Sequence, residues 1–291
     1  MLKAVRKISQ HPLTSRKPAQ AIWRYIAWQL SSRVLAKEQV LSWCCSLQIS
    51  VKRGYHASTA CHYFGLPEFE SMGFLLHFLR PNDWFVDVGA NVGAYSLLAA
   101  GVVGTKTLAF EPDPEVAVQF EKNMNLNQLN DLVNLYQMGL GDARRQATLT
   151  VGKGIQNHVV CPGSDGEKQS IQLVPMDEFC HDKFPSLIKI DVEGFETVVI
   201  KGATKTPSNP VLKALIIEQM GLGKRFGYDE EELSEIISGF GFELFDYQPF
   251  TRELSPRVEK VFGNNLYLRD FSFAKNRIKV AASFNVLEHA I

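Results

Sequence analysis

Long apolar runs and paired cysteines are both missing from this chain of 291 residues. No segment approaches the roughly 20 consecutive apolar residues that span a bilayer, and the first residues lack the apolar core of a secretory signal peptide. The five cysteines show no C-x-x-C spacing, which argues against a structural zinc site and favours reduced thiols. These absences lead us to expect a cytoplasmic protein.

A net charge is also missing, because 31 basic residues balance 31 acidic ones, but the charge is unevenly distributed. Residues 1–53 hold ten Lys or Arg and one acidic residue, so this segment carries +9 and the rest of the chain −9. Apolar residues near helical spacing in 20–36, flanked by basic ones, predict a helix there. We expect residues 1–60 to form a basic helical arm. This arm either contacts a membrane surface peripherally or docks on the acidic body, and no specific nucleic acid is expected.

The rest of the chain alternates apolar strands with helical stretches and shows no internal repeat. This alternation predicts an α/β, Rossmann-like fold, in which helices cover both faces of a mostly parallel seven-stranded sheet. The predicted strands lie near 84–89, 107–111, 133–138, 186–191, 213–218, 242–247 and 264–269. The predicted helices lie at 93–101, 114–127, 195–202 and 229–239.

Two stretches interrupt the alternation. Residues 143–175 contain two strand-like segments around a polar, glycine-containing piece, which predicts a hairpin inserted beside the site. Residues 219–228 follow a strand end and contain three glycines, which indicates a loop. Loops at the carboxyl ends of strands face the ligand in folds of this kind, so we expect both stretches to contact the substrate.

The segment 85–93 is the most informative part of the sequence. It predicts a buried strand that runs into a turn bounded by Gly89 and Gly93, followed by a helix. Such a turn is expected to surround a small ligand with open backbone N–H groups at a helix N-terminus. Asp87, at the end of the strand, adds a carboxylate that suits a ligand with cationic or hydroxylated parts.

A second acidic residue, Glu111, ends the next predicted strand, 22 residues after Gly89. A nucleotide-binding fold places an acidic residue at about this distance on the ribose hydroxyls. Nicotinamide dinucleotides and S-adenosylmethionine both fit this arrangement. Because the G-x-G-x-x-G pattern of dinucleotide sites is absent, the residues favour S-adenosylmethionine, whose methionine end and sulfonium carry mixed charge.

Four segments, in this order and spacing, resemble the FkbM family of S-adenosylmethionine-dependent methyltransferases: 87–93, 110–112, 139–142 and 188–196. The resemblance covers roughly residues 65–270 and implies a class I methyltransferase domain, which we bound at 61–275 with a C-terminal tail at 276–291. It also implies O-methylation, commonly of sugar or polyketide hydroxyls. The expected acceptor is therefore a small molecule or a glycan.

The resemblance assigns cofactor roles to residues in these segments. Asp87 and Gly89 would lie beside the methionine end, Glu111 on the ribose, and Asp142 near the adenine amino group. The matched motifs also place three further residues at the cofactor: Asn91, Gly93 and Pro112.

The segment 189–193 is the expected catalytic region. Side chains alternate faces along a strand, so Lys189, Asp191 and Glu193 share one side and should perturb each other's pKa values. An acceptor hydroxyl needs a base or a metal that lowers its pKa. We expect Asp191 to be the base or a magnesium ligand, with Glu193 second, and His158 in the predicted hairpin is the alternative base.

Two other functions stay open on the residues alone. One is an NAD-linked oxidoreductase, which the missing G-x-G-x-x-G pattern disfavours. The other is a non-catalytic nucleoside-binding module that uses the basic arm as its anchor. The oligomeric state and the identity of the acceptor do not follow from the sequence.

Overall fold

The computed structural model describes residues 2–34, 38–52, 56–151, 157–161 and 164–291. Its helices are α1 (Leu2–Gln10), α2 (Pro18–Val34), α3 (His56–Phe64), α4 (Phe69–Phe78), α5 (Ala94–Leu97), α6 (Pro114–Leu126), α7 (Glu196–Lys201), α8 (Lys205–Ser208), α9 (Glu230–Gly239) and α10 (Phe271–Lys279). Its strands are β1 (Gln39–Ser42), β2 (Gln48–Val51), β3 (Trp84–Val88), β4 (Lys106–Phe110), β5 (Val133–Tyr136), β6 (Gly139–Leu140), β7 (Arg145–Thr150), β8 (Lys168–Val174), β9 (Leu187–Ile190), β10 (Ala214–Gln219), β11 (Glu243–Gln248), β12 (Glu253–Pro256), β13 (Gly263–Leu268), β14 (Asn285–Val286) and β15 (His289–Ala290). Short 3-10 turns and one π-helical segment complete the regular structure: Cys44–Ser46, Met176–Glu178, Leu222–Phe226 and the π-helical Leu98–Val103.

The central sheet has eight strands in the order β12-β11-β13-β10-β9-β3-β4-β5. The block from β5 to β10 is parallel, and β13 pairs antiparallel with both β10 and β11. The Rossmann-like prediction is confirmed, and all seven predicted strands are present. The eighth strand, β12, was missed because it is short and mostly exposed, so it lacks the apolar alternation that marks a strand.

Two apolar clusters sandwich this sheet, as its alternating side chains require. Phe85 of β3 faces the cluster that includes α4 and α10, whereas its neighbour Val86 faces the cluster that includes α7 and α9. The four predicted helices of the body are present as α5 with the π-helical segment, α6, α7 and α9. Helices therefore cover both faces, and the carboxyl ends of the parallel strands are left to form the site.

After β5 the chain leaves the central sheet. Strands β6, β8 and β7 form a separate three-stranded sheet in which β7 and β8 pair antiparallel. This pair is the hairpin predicted within 143–175; residues 152–156 and 162–163 of that stretch lie outside the described residues.

The N-terminal segment packs on the rest of the chain. The ring of His11 lies 4.9 Å from that of Phe64 in α3, and Trp28 of α2 is buried. Lys17 pairs with Glu288 near the C-terminus. Of the two alternatives for this arm, the structure shows docking on the body.

One side of α2 nevertheless stays open. Trp23 and Leu30, seven residues apart, are 67% and 57% exposed. No described helix is long and apolar enough to cross a membrane. The predicted peripheral membrane contact is not tested by these observations and stays a prediction.

The predicted C-terminal tail begins inside a helix. The boundary after residue 275 falls within α10, which packs against α4. Arg277 of α10 pairs with Asp83 in the turn before β3. The residues after 275 are thus continuous with the body's packing.

Candidate active site

A cavity of about 700 Å³ opens at the carboxyl ends of the central parallel strands. Such edges are where ligands bind in open α/β sheets. The turn after β3, the loop after β4, the ends of β9 and β10, and the β7–β8 hairpin all contribute lining residues. Helices α1 and α3 of the N-terminal segment also line it, so the site combines the N-terminal segment with strand ends of the central sheet.

The turn after β3 is held tightly by its own hydrogen bonds. Gly89 has φ +75°, and a Cβ there would lie 1.8 Å from the carbonyl oxygen of Asp191. The N–H groups of Gly89 and Ala90 both donate to the carbonyl of Phe110, each at 3.0 Å. Position 89 therefore requires glycine, because the backbone just after β9 lies too close for a side chain.

The expectation of open N–H groups in this turn is wrong for residues 89–93. The N–H of Asn91 donates to Glu111, that of Val92 to the Asn91 side chain, and that of Gly93 to the carbonyl of Ala90. With the two bonds to Phe110, every N–H in this stretch has a partner within the protein. The turn can present side chains and carbonyl groups to a ligand. Its Asn91 N–H also holds the Glu111 carboxylate in position.

Gly93 plays a packing role. Its φ is +87°, and a Cβ there would lie 2.8 Å from side-chain atoms of Phe120 and Met124 in α6. It is not among the residues that line the cavity. The structure thus places Gly93 at the contact between α5 and α6, away from the predicted cofactor position.

Asp87 lies beneath the turn and is fully buried. Its Oδ2 accepts a hydrogen bond from the Ser96 hydroxyl at 2.7 Å, and its Oδ1 has no partner among the described residues. Burial raises the pKa of this carboxyl, and the charge of Lys189 on the adjacent strand opposes the rise. Asp87 does not line the cavity, so its place is under the site.

Glu111 lines the cavity and is only 7% exposed. Its two carboxylate oxygens accept backbone N–H groups from Asn91 and Asp113, each at 2.9 Å. Burial raises its pKa to about 7, although both hydrogen bonds favour the charged form. Gly89, Asn91 and Pro112 also line the cavity, so four of the predicted cofactor residues are brought together here.

Asp142 is not brought to the cavity. It follows β6 of the small sheet, whereas the prediction assumed that it ends the third strand of the central sheet. Its carboxylate is largely exposed and pairs with Arg145 at 2.7 Å. A Cβ on Gly202 would lie 1.9 Å from the carbonyl of Gly141, so this corner packs against the end of α7.

The three residues of the predicted catalytic segment lie together in the cavity. Lys189 is 4% exposed, and its Nζ lies 2.8 Å from Asp191 Oδ2 and 4.8 Å from the centre of the Tyr95 ring. Asp191, Glu193 and Glu218 each offer a carboxylate oxygen, and these three oxygens lie within 4.8 Å of one another. We call these three residues the carboxylate cluster.

Charge crowding and burial shift the pKa values in this cluster. Burial raises the pKa of Glu193 to about 7, and the nearby Asp191 adds to the rise. Burial also raises the pKa of Glu218 to about 9, again with a contribution from Asp191. These raised pKa values favour a protonated Glu218 at neutral pH and allow Glu193 to take up or release a proton there.

The turn that carries Glu193 is strained and well supported. Glu193 has φ +54° and Gly194 has φ +100°. Glu196 Oε1 accepts the N–H groups of Val192 and Gly194 at 3.0 and 3.1 Å. Glu196, the first residue of α7, thus holds the strained backbone that precedes the helix in place.

His158 lines the cavity from the β7–β8 hairpin. Its Nδ1 and Nε2 lie 3.4 and 3.3 Å from the hydroxyls of Thr150 and Ser164. The adjacent Asn157 donates to Asp113 Oδ2 at 2.6 Å. This contact holds the hairpin against the loop after β4, so His158 approaches the cavity from the side of Glu111.

Sequence reasoning missed several lining residues. Glu218 ends a predicted strand, which is the same signal that identified Asp191. Glu68 accepts the Tyr95 hydroxyl at 2.5 Å and also an amide hydrogen of Asn264, and no local pattern indicates this contact between distant segments.

The carboxylate cluster offers oxygen donors of the kind that Mg²⁺ prefers. However, the buried Lys189 already supplies a positive charge to Asp191 at 2.8 Å. The positive charge that a metal ion would bring next to Asp191 is thus already present.

Comparison with known proteins gives a consistent picture. Residues 87–244, more than half of the chain, match the Methyltransferase FkbM domain family. Methyltransferase 1 of Beauveria bassiana is 28% identical (42% of this chain and 59% of that protein), and methyltransferase sdnD of Sordaria araneosa is 29% identical (40% and 46%). The chain thus spans about half the length of these curated relatives. A crystal structure of methyltransferase FkbM from Methylobacillus flagellatus KT is similar with a TM-score of 0.46 and 18% identity, covering 86% of this chain and 60% of that one.

Proposed function

Because the chain belongs to the FkbM family of S-adenosylmethionine-dependent methyltransferases, we propose that it methylates a hydroxyl oxygen of a small metabolite, a sugar or a related compound. The observation that carries this proposal is the position of Glu193 in the carboxylate cluster, in the same cavity as Glu111. One residue offers a carboxylate that can take a proton near neutral pH, and the other offers one that can accept ribose hydroxyls. The family membership leaves no support for the oxidoreductase alternative.

The donor half of the cavity would consist of Glu111 and its surroundings. Each Glu111 oxygen uses one lone pair on a backbone N–H, so each retains a lone pair for a ribose hydroxyl. Asn91 and Pro112 flank this position. Apolar side chains of the small sheet and hairpin line the cavity nearby and offer a surface for the adenine ring: Leu140, Leu149, Ile171 and Leu173.

The acceptor hydroxyl would be deprotonated in the carboxylate cluster. When bound, the donor supplies a sulfonium methyl group, whose C–S bond breaks as the acceptor oxygen forms its new C–O bond. Glu193 takes the hydroxyl proton, because its pKa of about 7 matches a general base that works near neutral pH. Lys189 holds Asp191 in place, and protonated Glu218 stays neutral beside it, which limits the repulsion around Glu193.

Methyl transfer with matched variants tests this proposal. We expect purified protein to transfer labelled methyl groups from S-adenosylmethionine to members of a panel of sugars and other hydroxylated metabolites. Glu193→Gln should reduce kcat by about 10²- to 10⁴-fold, the usual contribution of a general base, with S-adenosylhomocysteine affinity unchanged.

The control is Glu243→Gln, an exposed residue at the start of β11, which should behave like the wild type. Binding of S-adenosylhomocysteine without transfer to any acceptor would instead favour the non-catalytic module. Full activity of Glu193→Gln would remove Glu193 from the proposed chemistry.

A further inference from the structure

Two N-terminal helices form one wall of the cavity. The lining residues of α3 recur with helical spacing and so share one face: His56, Ala57, Ala60, Cys61 and Phe64. The lining residues of α1 and the turn after it also share a face: Lys7, Gln10 and His11. We call these two faces the α1–α3 wall.

The α1–α3 wall is joined to the catalytic part of the cavity. Helix α3 contacts α5, which carries Tyr95. The Tyr95 hydroxyl donates to Glu68, just after α3, at 2.5 Å. The Tyr95 ring also lies 4.8 Å from Lys189 Nζ, so a molecule at the carboxylate cluster would have the wall beside it.

The surface chemistry of the wall differs from that of the carboxylate cluster. Ala57, Ala60 and Cys61 are small and leave a recess, and Phe64 lies at one end of this row. Met72 of α4 adds a further apolar side chain to the lining. The polar groups of the wall are Lys7, Gln10 and His56, which are exposed, and His11, whose ring lies 4.9 Å from that of Phe64.

This contrast constrains the acceptor. A hydroxyl buried against the apolar recess without a hydrogen-bond partner costs free energy, whereas an apolar group buried there is stabilised. A molecule that is polar on every side gains nothing from burial against Ala57, Ala60 and Phe64. A molecule with a hydroxyl at one end and an apolar body at the other fits both surfaces.

We infer that the α1–α3 wall is the acceptor-binding surface and that the acceptor is amphipathic, with its reactive hydroxyl at the carboxylate cluster and an apolar body on Ala57, Ala60 and Phe64. This inference rests on the proposed function. It also assigns the N-terminal segment a role in acceptor specificity.

Alkyl glucosides of increasing chain length test the inference, because their sugar hydroxyls are the same and their apolar bodies differ. We expect kcat/KM to rise from methyl to butyl to hexyl glucoside, by up to about fourfold for each methylene that becomes buried. Ala60→Phe, which fills the recess, should reduce kcat/KM for hexyl glucoside at least tenfold and leave S-adenosylhomocysteine affinity within twofold. The matched control is Ala19→Phe on an exposed position of α2.

A second variant keeps the inference testable if Ala60→Phe does not fold. Phe64→Leu retains an apolar side chain and should weaken the preference for hexyl over methyl glucoside. Equal kcat/KM for the three glucosides, or a wild-type preference in both folded variants, would overturn the inference.

Calorimetry separates this inference from the proposed function. Protein loaded with S-adenosylhomocysteine should bind hexyl glucoside more tightly than methyl glucoside, whether or not transfer occurs. Chain-length-dependent binding without methyl transfer would overturn the proposed function and support the wall as a binding surface. Binding that does not depend on chain length would overturn the inference itself.

Discussion

The two halves of the cavity are built in different ways. The proposed donor half consists of a short stretch after β3, whose backbone N–H groups donate to the Phe110 carbonyl and the Glu111 carboxylate. The proposed acceptor half combines the carboxylate cluster at the ends of β9 and β10 with helices α1 and α3, which lie far away in the sequence. Backbone geometry dominates the first half, and side-chain charge and shape dominate the second.

This difference explains what each half demands of the sequence. A turn held by backbone hydrogen bonds needs particular residues at fixed spacing. At Gly89, for example, a Cβ would collide with the Asp191 carbonyl. A wall of side chains can change its residues while keeping its place in the fold. We therefore expect substitutions in the two halves to have separable effects on donor affinity and on acceptor use.

The largest effect is expected at Lys189, which lies between the halves. Its buried ammonium group is the positive charge next to the buried Asp87 and the half-buried Asp191. Lys189→Met leaves these carboxylates without it, and breaking a buried ion pair costs about 3–5 kcal/mol of unfolding free energy. Urea denaturation measures this loss.

Lys213→Met is the matched control for Lys189. Its partner Asp270 lies 3.4 Å away on the surface, and exposed pairs contribute about 0–1 kcal/mol. Equal losses for the two variants would contradict the central position of Lys189.

Glu111→Gln tests the contribution of the proposed donor half to cofactor affinity. At pH 8, above the Glu111 pKa of about 7, the substitution replaces a charged acceptor of ribose hydroxyls with a neutral amide, and hydrogen bonds to charged groups contribute about 1.5–3 kcal/mol. We expect S-adenosylhomocysteine affinity to fall by roughly 10- to 100-fold, while the glucoside preference persists at saturating donor. Unchanged affinity in calorimetry would remove Glu111 from the donor site.

The pH dependence of kcat tests the role of Glu193 in the proposed acceptor half. Burial and Asp191 raise the pKa of Glu193 to about 7, and the base must be deprotonated to act. We therefore expect kcat to fall about tenfold per pH unit well below 7 and to level off above it. Binding of S-adenosylhomocysteine to Glu193→Gln should match the wild type over this range, and a wild-type kcat that stays flat down to pH 5 would contradict this role.

The smallest effect is expected outside both halves, on α2. If the exposed Trp23 contacts a membrane surface, the wild type should float with anionic vesicles and Trp23→Ala should do so more weakly. Methyl transfer to water-soluble acceptors should not change. Absence of wild-type flotation would dismiss the membrane contact.

The sequence predicted the donor half better than the acceptor half for a physical reason. A strand, a glycine turn and an acidic residue 22 positions later are local features, and the structure places Gly89 and Glu111 where these features indicate. Asp142 shows the limit of this reasoning. Whether the chain stays in the central sheet after β5 depends on tertiary packing, and it moves into the small sheet instead.

The acceptor half shows the same limit more strongly. Asp191 and Glu193 were recognisable from their alternation, but the contribution of α1 and α3 depends on how the N-terminal segment folds back. The basic charge of that segment indicated an attraction to acidic partners in general. The packing of His11 on Phe64 and the pairing of Lys17 with Glu288 in the folded chain identify the body as the surface on which it docks.

A calorimetric titration of the wild-type protein with S-adenosylhomocysteine tests most directly whether this cavity binds the methyl donor. We expect one molecule to bind per chain and S-adenosylmethionine to compete for the same site. A titration without heat, together with an unchanged melting temperature at saturating ligand, would contradict this expectation.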